Sequence, residues 1–408
     1  MTRATQSFPL SRRLFLGAAG SFVAWAQIPG IARATGHDPR FVVVILRGAL
    51  DGLAAVPPIG DPAYAAIRGD MAVGAPGRER VLPLDGFFGL NDAMPELHRL
   101  YGEGDALIVH ASATAYRERS HFDGQDVLEN GAAGPQALRT GWLNRAVGAL
   151  PSEGRIAPAT GLAVSATVPL ILRGAAPVVT WTPPNFRPAG ADTVARLLDL
   201  YRHQDPELAA VFAAGVGLDA LTAGEMAMGG GEVAGGIAGA FAEMAEGAAR
   251  LIADPEGPRI AALSYNGWDT HANEGADTGR LADLLAALDG ALGAIARTAA
   301  PVWDQTVVVV VTEFGRTVRG NGTDGTDHGT ATVAFVLGGA VAGGRVVADW
   351  PGLAEGQLLD ARDLYPTTDL RAVLKGVLRD HLGLSETILT AQVFPDSIGV
   401  RPMDGLLG

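Results

Sequence analysis

The sequence predicts an α/β fold, built as a three-layer sandwich around a mainly parallel sheet. Five short, nearly continuous apolar segments recur along the chain, and buried parallel strands have this composition. Segments with helical periodicity separate them, and alternation of strands and helices is typical of α/β sandwiches. Hydrophobic residues make up 48% of the 408 residues and charged residues 18%, which is enough apolar material for a large core.

The apolar segments define the predicted strands, which in chain order are residues 41–46, 106–109, 260–263, 306–311 and 332–337. Helical patterns precede three of them, at residues 91–101, 233–253 and 278–298. Residues from about 135 to 230 break the alternation, because 162–182 is rich in β-forming residues and 193–223 has a helical pattern. We expect this segment to be an insertion that covers one end of the sheet within a single domain.

The first 34 residues have the pattern of a twin-arginine signal peptide. Arg12 and Arg13 precede a mildly apolar stretch over residues 14–26, and Ala32-Arg33-Ala34 offers small residues at a cleavage site. The stretch is shorter than the about 20 apolar residues that span a bilayer. We therefore expect the twin-arginine machinery to export residues 35–408 to the periplasm or the medium, without a stable transmembrane span. A plain secretory signal or an uncleaved anchor is the alternative.

Composition excludes several classes of function. The net charge of −13 argues against nucleic acid as a partner, because phosphate binding draws on Lys and Arg. Cysteine is absent, so neither disulfides nor thiolate ligands are available. Lysine occurs once, at Lys375 in a helical pattern, which excludes a P-loop and argues against a Schiff base. Neither Gly-x-Ser-x-Gly nor His-Glu-x-x-His occurs.

Polar side chains follow the predicted strands. Arg47 and Asp51 follow the first, Arg117, Ser120 and His121 the second, Asp269 and His271 the third, and Glu313, with Asp327 and His328 further on, the fourth. Ligands in α/β sheets lie beyond the carboxyl ends of the strands, so we expect these side chains at one edge. Carboxylates and imidazoles together suit a divalent cation. The predicted ligands are therefore Asp51, Asp269, His271, Glu313, Asp327 and His328.

Each pair of candidates also has a simpler interpretation. Asp51 lies between glycines, as turn residues do, and Asp269-x-His271 resembles a helix cap. An extended backbone would instead aim Asp269 and His271 the same way. Asp327 and His328 are adjacent, so either the loop bends to let both bind one metal, or one ligates and the other orients it. Both also suit a solvated loop. The joint placement after successive strands favours the metal site.

Two other features are not expected to bind a ligand. Residues 320–325 match the glycine pattern of a dinucleotide site, but no helix is predicted after them, and the following Asp327 would repel a pyrophosphate. We therefore expect neither NAD nor FAD. His110, at the end of the second strand, is predicted to be a packed core histidine.

Several motifs together resemble an exported family known as domain of unknown function 1501. They are the twin-arginine start, Leu46-Arg47-Gly48-x-x-Asp51-Gly52-Leu53, Ser120-His121-Phe122-Asp123-x-Gln125-Asp126, Gly141-Trp142-Leu143-Asn144, Trp268-Asp269-x-His271, and Thr312-Glu313-Phe314-Gly315-Arg316-Thr317 with Asp327-His328-Gly329. The resemblance runs to about residue 400. This family is distantly similar to the alkaline phosphatase-like superfamily of phosphatases, sulfatases and phosphomutases, which implies an alkaline phosphatase-like fold.

The resemblance implies a role for each candidate. Asp51 matches the superfamily's first metal-ligating aspartate, Asp269 and His271 its aspartate-histidine pair, Glu313 a ligand of the other metal, and His328 the late histidine of the first site. Phe314 stands where a histidine is usual, so the second metal site is weakened or recruits Asp327. Arg117 stands at the usual position of the nucleophile, and Ser120 is our choice instead.

These inferences predict a metal-dependent hydrolase of phosphate or sulfate esters, acting on a small molecule or a glycan. Two cations about 4 Å apart, of Zn, Mg, Mn or Ca, would activate Ser120 or a water. Arg47 or Arg117 would hold the anionic oxygens, and His121 is a further catalytic candidate. The alternative is a non-catalytic, metal-stabilised protein that binds an envelope partner or an anionic glycan. An oxidoreductase with iron at these ligands is a third possibility.

Overall fold

A nine-stranded sheet forms the centre of the unit Pro39–Gly408 in the computed structural model. The structure describes residues 38–74, 80–150, 161–183 and 236–408, with the isolated residues 198 and 213. The predicted signal peptide lies outside the described residues, and so do residues 151–160 and 184–230 of the predicted insertion, apart from 198 and 213. No helix in the described ranges is long and apolar enough to cross a membrane.

The central sheet is mixed but mainly parallel. Its strands are β1 (Arg40–Arg47), β4 (Ala106–Ala113), β5 (Gly161–Val164), β6 (Val178–Trp181), β7 (Ile260–Asn266), β8 (Thr306–Thr312), β9 (Thr332–Leu337), β10 (Arg345–Val347) and β11 (Thr368–Asp369). Their order is β10-β4-β9-β8-β1-β7-β5-β6, with β11 beside β4. β9 runs antiparallel to β4 and β8, and the other pairs are parallel. Strands β2 (Val81–Pro83) and β3 (Gly89–Asn91) form a separate hairpin.

Helices cover both faces of the sheet. They are α1 (Gly52–Ala55), α2 (Tyr64–Arg68), α3 (Pro95–Glu103), α4 (His121–Asn130), α5 (Trp142–Ala149), α6 (Gly236–Ala253), α7 (Arg280–Thr298), α8 (Leu370–Leu382) and α9 (Glu386–Ile388). Short 3₁₀ turns lie at Gly69–Met71, Leu170–Leu172, Ala300–Gln305 and Glu355–Gln357, and a π turn at Leu389–Val393. Helix α3 begins four residues later than predicted, at Pro95, which suits a first turn, and ends at the left-handed Gly104.

Strand β1 shows why three layers form. Val42 and Val44 pack in one core with α3, α6 and α7, whereas Phe41 and Val43 pack in a second core with α5 and α8. Both faces of the strand are therefore buried, and this is why its sequence is a continuous apolar run. The predicted α/β class with a mainly parallel sheet is confirmed.

The predicted insertion contributes to the sheet itself. Residues 161–183 supply β5 and β6, which pair in parallel and extend the sheet beyond β7. These strands therefore belong to the central sheet, because β5 pairs with β7 and β6 pairs with β5.

His110 is a core residue, as predicted. Its Nε2 donates to the Val56 carbonyl at 3.0 Å, its Nδ1 accepts from the Ala111 N–H at 2.8 Å, and its ring stacks on Phe88. Complete burial lowers the pKa of His110 to about 4. The neutral ring therefore has both nitrogens satisfied, and protonation would break the bond to Ala111.

We expect this burial to make the protein sensitive to acid between pH 6.5 and 4. The unfolded state binds a proton at residue 110 below pH 6.5, whereas the folded state does so only below about pH 4, so stability falls with pH by up to about 3 kcal/mol. Urea unfolding of the wild type and His110→Gln across this window measures the difference. Equal pH slopes for the two proteins would contradict this role.

Candidate metal centre

Four strands bring their polar neighbours to one edge of the sheet. Strands β1, β7 and β8 lie side by side in parallel, so their carboxyl ends meet there. Because β9 runs antiparallel to β8, its first residue lies at the same edge, together with the residues that precede it. This reversal explains how His328, before β9, joins residues that follow β7 and β8.

A glycine allows β1 and the segment after β7 to approach closely. The Trp268 N–H donates to the Arg47 carbonyl at 3.2 Å, and Gly48 has a φ of 120°. A Cβ atom at residue 48 would lie 2.4 Å from the Asp269 backbone nitrogen. Only glycine fits this contact, and the contact fixes the position of the Asp269 backbone.

Three imidazoles converge on one carboxylate oxygen at this edge. Asp269 Oδ1 lies 3.4 Å from His121 Nε2, 3.1 Å from His271 Nε2 and 3.4 Å from His328 Nε2. The Nε2 atoms of His271 and His328 are 2.9 Å apart. Four potential ligand atoms thus share a small volume, and we call these residues the histidine cluster.

The other ring nitrogen of each histidine faces an oxygen acceptor. His121 Nδ1 is 2.8 Å from Glu313 Oε1, and His271 Nδ1 is 3.2 Å from Asp327 Oδ1. His328 Nδ1 donates to the Arg119 carbonyl at 2.8 Å. Since a carbonyl or a carboxylate only accepts, these contacts place the proton of each neutral ring on Nδ1 and leave the Nε2 lone pair directed into the cluster.

The pKa values of His328 and His121 shift in opposite directions. Burial lowers the pKa of His328, so that ring is neutral. The hydrogen bond to Glu313 raises the pKa of His121. A cation that binds His121 Nε2 would have to displace the proton that the charged ring carries there. His121 Nε2 is buried and makes no hydrogen bond to any residue in the described ranges. A buried polar atom without a partner is the kind of group that a bound ion satisfies.

Glu313 supports the cluster through its contact with His121. Its side chain is fully buried, Oε1 accepts from His121, Gln125 and the Gly48 N–H, and Oε2 accepts from the Thr312 hydroxyl. Burial alone would raise the pKa of this carboxyl, but the hydrogen bonds from His121 and Gln125 hold it below the ordinary value. Predicted as a ligand, Glu313 instead orients His121, because its oxygens are already in use.

Arg316 performs a similar role for Asp269. Its guanidinium is fully buried and donates to Asp269 Oδ1 at 2.7 Å and to the hydroxyl and carbonyl of Thr326. Burial acts to raise the pKa of Asp269, but Arg316 outweighs it and lowers that pKa. Asp269 therefore stays ionised, and its Oδ2 remains for another partner.

Asp327 lies beside the cluster. It orients His271 and not His328, the residue that follows it in the sequence. Its Oδ1 contacts His271 Nδ1 and accepts from Asn321 Nδ2 at 3.2 Å, and its side chain is 53% exposed. Asn321 Nδ2 also donates to the His271 carbonyl at 2.9 Å. No helix follows residues 320–325, which form a loop against His271.

The structure does not bring Asp51 into the cluster. Asp51 caps α1, where its Oδ1 accepts from the Leu53 and Ala54 N–H groups, and its Oδ2 accepts from the fully buried Arg68 guanidinium. The interpretation of Asp51 as a turn residue therefore describes it, and the ligand prediction does not, since an ion pair and two backbone donors use its oxygens.

The predicted catalytic side chains have mixed placements. Ser120 is the N-cap of α4, directly before His121, and its hydroxyl makes no cap hydrogen bond. Arg117 donates to the carbonyls of Thr114 and Tyr116, so it folds back on its own loop. Arg47 donates to Gln125 at 2.8 Å and to Glu129 at 2.5 Å. Both guanidinium groups are thus engaged with protein acceptors.

Sequence reasoning missed three contributors to the cluster. It assigned His121 a catalytic role but not a ligand role, and it gave no role to Arg316 or Arg119. Arg119 has a left-handed backbone, with a φ of 61°, and its side chain pairs with the buried Asp363 at 2.7 Å while its carbonyl holds His328. Arg316 belongs to one of the motifs named above, but the sequence around it does not indicate that its side chain is buried beside Asp269. No sequence signal indicates the left-handed backbone of Arg119.

The donor set fits a metal ion. His121, Asp269 and His328 offer ligand atoms that all lie within 4.8 Å of one another, and His271 adds a fourth. Zinc bonds of about 2.0–2.1 Å in tetrahedral geometry separate ligand atoms by about 3.3 Å. The measured separations of 2.9–3.4 Å are close to that value. The cluster could therefore hold a divalent cation of borderline softness.

Comparison with known proteins gives no match among curated sequences. Similar solved structures include Ps i-CgsB in complex with k-i-k-neocarrahexaose, at 13% identity and a TM-score of 0.41, over 89% of this chain and 77% of that one. Another is the phosphonate monoester hydrolase of Agrobacterium radiobacter, at 13% identity and a TM-score of 0.32, over 85% and 74%. A third is a protein in the alkaline phosphatase superfamily from Vibrio parahaemolyticus, at 13% identity and a TM-score of 0.27, over 74% and 60%.

The sequence itself carries the stronger relationship, as the resemblance of its motifs predicts. Residues 110–393, more than two thirds of the chain, match the family described as a protein of unknown function, DUF1501. The match includes every residue of the histidine cluster and its supports Glu313, Arg316 and Asp327. The chain belongs to the DUF1501 family of proteins of unknown function.

Proposed function

We propose that this protein is a metal-dependent hydrolase of phosphate or sulfate esters, with one site at the histidine cluster. The observation that carries the proposal is the convergence of three Nε2 atoms on Asp269 Oδ1, each ring held at Nδ1 by an oxygen. Such an arrangement prepares lone pairs for a cation before it binds. The side chains of Asp269 and His271 are 42% and 45% exposed, so a substrate can reach the cluster.

A divalent cation at this position would polarise the ester and favour ionisation of the attacking oxygen. The protein's own groups would place the substrate. Ser120 offers a hydroxyl at the start of α4, and the N-terminus of that helix favours an anionic group. A water would attack the phosphorus or sulfur atom and lose a proton to solvent, or Ser120 would attack in the same way and a water would then hydrolyse the ester formed on Ser120. In either route the bond to the leaving ester oxygen breaks, and that oxygen takes a proton from solvent. Arg362, which is 40% exposed and donates to the His328 carbonyl, is suited to hold an anionic oxygen.

Export is part of the proposal. The pair Arg12-Arg13 before an apolar stretch supports transport of the folded chain by the twin-arginine pathway to the periplasm or beyond. Replacing both arginines with lysine should leave the protein in the cytoplasmic fraction of expressing cells, whereas the wild type leaves it. Equal export of both proteins would contradict this pathway.

The catalytic proposal is tested by metal analysis and ester hydrolysis of the purified protein. We expect bound metal and turnover of an aryl phosphate or aryl sulfate, both lost after chelation and regained with Zn²⁺ or Mn²⁺. Asp269→Ala should abolish turnover, with Asp254→Ala as the matched control, because Asp254 is a half-buried carboxylate of the loop before β7. A metal-free wild type with activity equal to that of Asp269→Ala would contradict the proposal.

A specific observation favours a second candidate, a non-catalytic protein that uses its metal for stability and binds an envelope partner or an anionic glycan. Arg47 and Arg117 are engaged with protein acceptors, and Asp51 is paired with Arg68. For this candidate, chelation should lower the melting temperature while neither ester is hydrolysed at any metal concentration. The two candidates therefore differ in turnover and agree in metal content.

A further inference from the structure

We infer that the protein holds one divalent cation per chain, and that Arg316 supplies the second positive charge that a two-cation site would take from a second metal. The inference rests on the cation of the proposed function but not on turnover. Its basis is that Asp51 and Glu313, the two carboxylates predicted to bind further metal, are engaged by fixed protein donors.

The first carboxylate in use is Asp51. Its side chain is 1% exposed and that of Arg68 is fully buried, and the two form an ion pair. Arg68 is held further by the Thr317 carbonyl at 3.2 Å. A cation that took Asp51 as a ligand would have to leave a buried guanidinium without its partner, and an unpaired buried charge strongly destabilises the folded state. The fixed arginine makes this exchange unfavourable.

The second carboxylate in use is Glu313. Four donors from His121, Gln125, Gly48 and Thr312 occupy its two oxygens, and its side chain has no exposed surface. A cation would have to remove several of these donors at once. Each donor left buried without a partner would destabilise the folded protein.

The third obstacle is the positive charge of Arg316 beside Asp269. Arg316 Nη1 lies 2.7 Å from Asp269 Oδ1, with its guanidinium fixed by Thr326 and fully buried. A second cation bridging through Asp269 would meet this guanidinium at short range. Of the carboxylates that touch the cluster in the described ranges, Asp327 is left, and one exposed carboxylate does not make a site.

The histidine cluster suffices for one cation. Asp269 Oδ1 lies 3.1–3.4 Å from the three Nε2 atoms, the Nε2 atoms of His271 and His328 are 2.9 Å apart, and soft thiolates are absent from the chain. Three imidazoles favour zinc or a neighbouring transition metal over Mg²⁺ or Ca²⁺, which prefer oxygen. The predicted choice among Zn, Mg, Mn and Ca therefore narrows towards Zn²⁺.

Metal counting on the full chain tests the inference. We expect the apoprotein, titrated with Zn²⁺ and passed through a desalting column, to retain one zinc per chain by mass spectrometry. X-ray absorption of the same sample should show nitrogen and oxygen neighbours at about 2.0–2.1 Å and lack a metal neighbour at about 3.5–4 Å. Two zinc ions per chain, or a metal–metal distance, would overturn the inference, and so would none.

A variant separates Asp51 from the site. The double variant Asp51→Asn with Arg68→Met removes both buried charges together, so the fold does not keep an unpaired arginine. It should retain one zinc per chain with the affinity of the wild type, whereas a loss of zinc would show that Asp51 is a ligand. The single variant Asp51→Asn gives the same comparison if the double variant does not fold. One zinc without ester hydrolysis would support this inference and contradict the catalytic proposal.

Discussion

Replacing His328 with alanine is expected to lower the affinity for Zn²⁺ by about 100-fold or more. Residues that only orient a ligand change metal affinity by about 10–100-fold, and removal of a ligand should exceed that range. His328 Nε2 lies 3.4 Å from Asp269 Oδ1 and 2.9 Å from His271 Nε2, so its loss opens the cluster on one side. Titration of the apoprotein against a zinc-binding dye measures the change.

Thermal stability gives an independent measurement of the same effect. A ligand present at 100 times its dissociation constant stabilises the folded state by about 2.7 kcal/mol, so Zn²⁺ should raise the melting temperature of the wild type. His328→Ala should lose most of this increase. His98→Ala is the control, because His98 is half-buried on α3 and the contact described for its ring is with the Pro83 carbonyl. If Zn²⁺ stabilised His328→Ala and the wild type equally, the cluster would not be the metal site.

The sequence predicts the strands well because the apolar composition of a buried strand is a local signal. Strand β9 is predicted with its exact bounds, 332–337, since both of its faces are buried and each residue is apolar or Thr. Its antiparallel direction is not local information, because it depends on how the chain returns across the sheet. That direction decides which end of β9 lies at the functional edge. The sequence therefore predicts that His328 is near the edge without showing which residues it meets.

The candidate site shows the same division between local and non-local information. Asp269 and His271 are two residues apart, and an extended segment brings their side chains together, as the structure does. Asp51 and Glu313 follow strands in the same way, yet Arg68 and His121 occupy their carboxylates from distant parts of the chain. A position directly after a strand therefore places a residue at this edge of the sheet. Whether its side chain is free to bind a metal or instead orients a neighbour depends on the side chain that it meets from a distant part of the chain.

Glu313 provides the second large effect that we expect, and here the conservative variant and the truncation should differ. Glu313→Gln keeps the size of the side chain but loses the charge that holds His121. One oxygen of the carboxylate accepts from His121, Gln125 and Gly48, and an amide cannot accept at both of its atoms. We expect a folded protein whose affinity for Zn²⁺ is lower by about 10–100-fold.

Glu313→Ala should in addition reduce the free energy of unfolding by about 3 kcal/mol or more, because it leaves several buried donors without an acceptor. Glu129→Gln is the matched control for the metal effect. Glu129 is another buried carboxylate, on α4, but its partners are Arg47 and the Ile171 N–H rather than a histidine. If Glu129→Gln weakened zinc binding as much as Glu313→Gln, the effect would come from general loss of stability. A decrease confined to Glu313→Gln would show that this carboxylate acts on the metal through His121, which Glu129 does not contact.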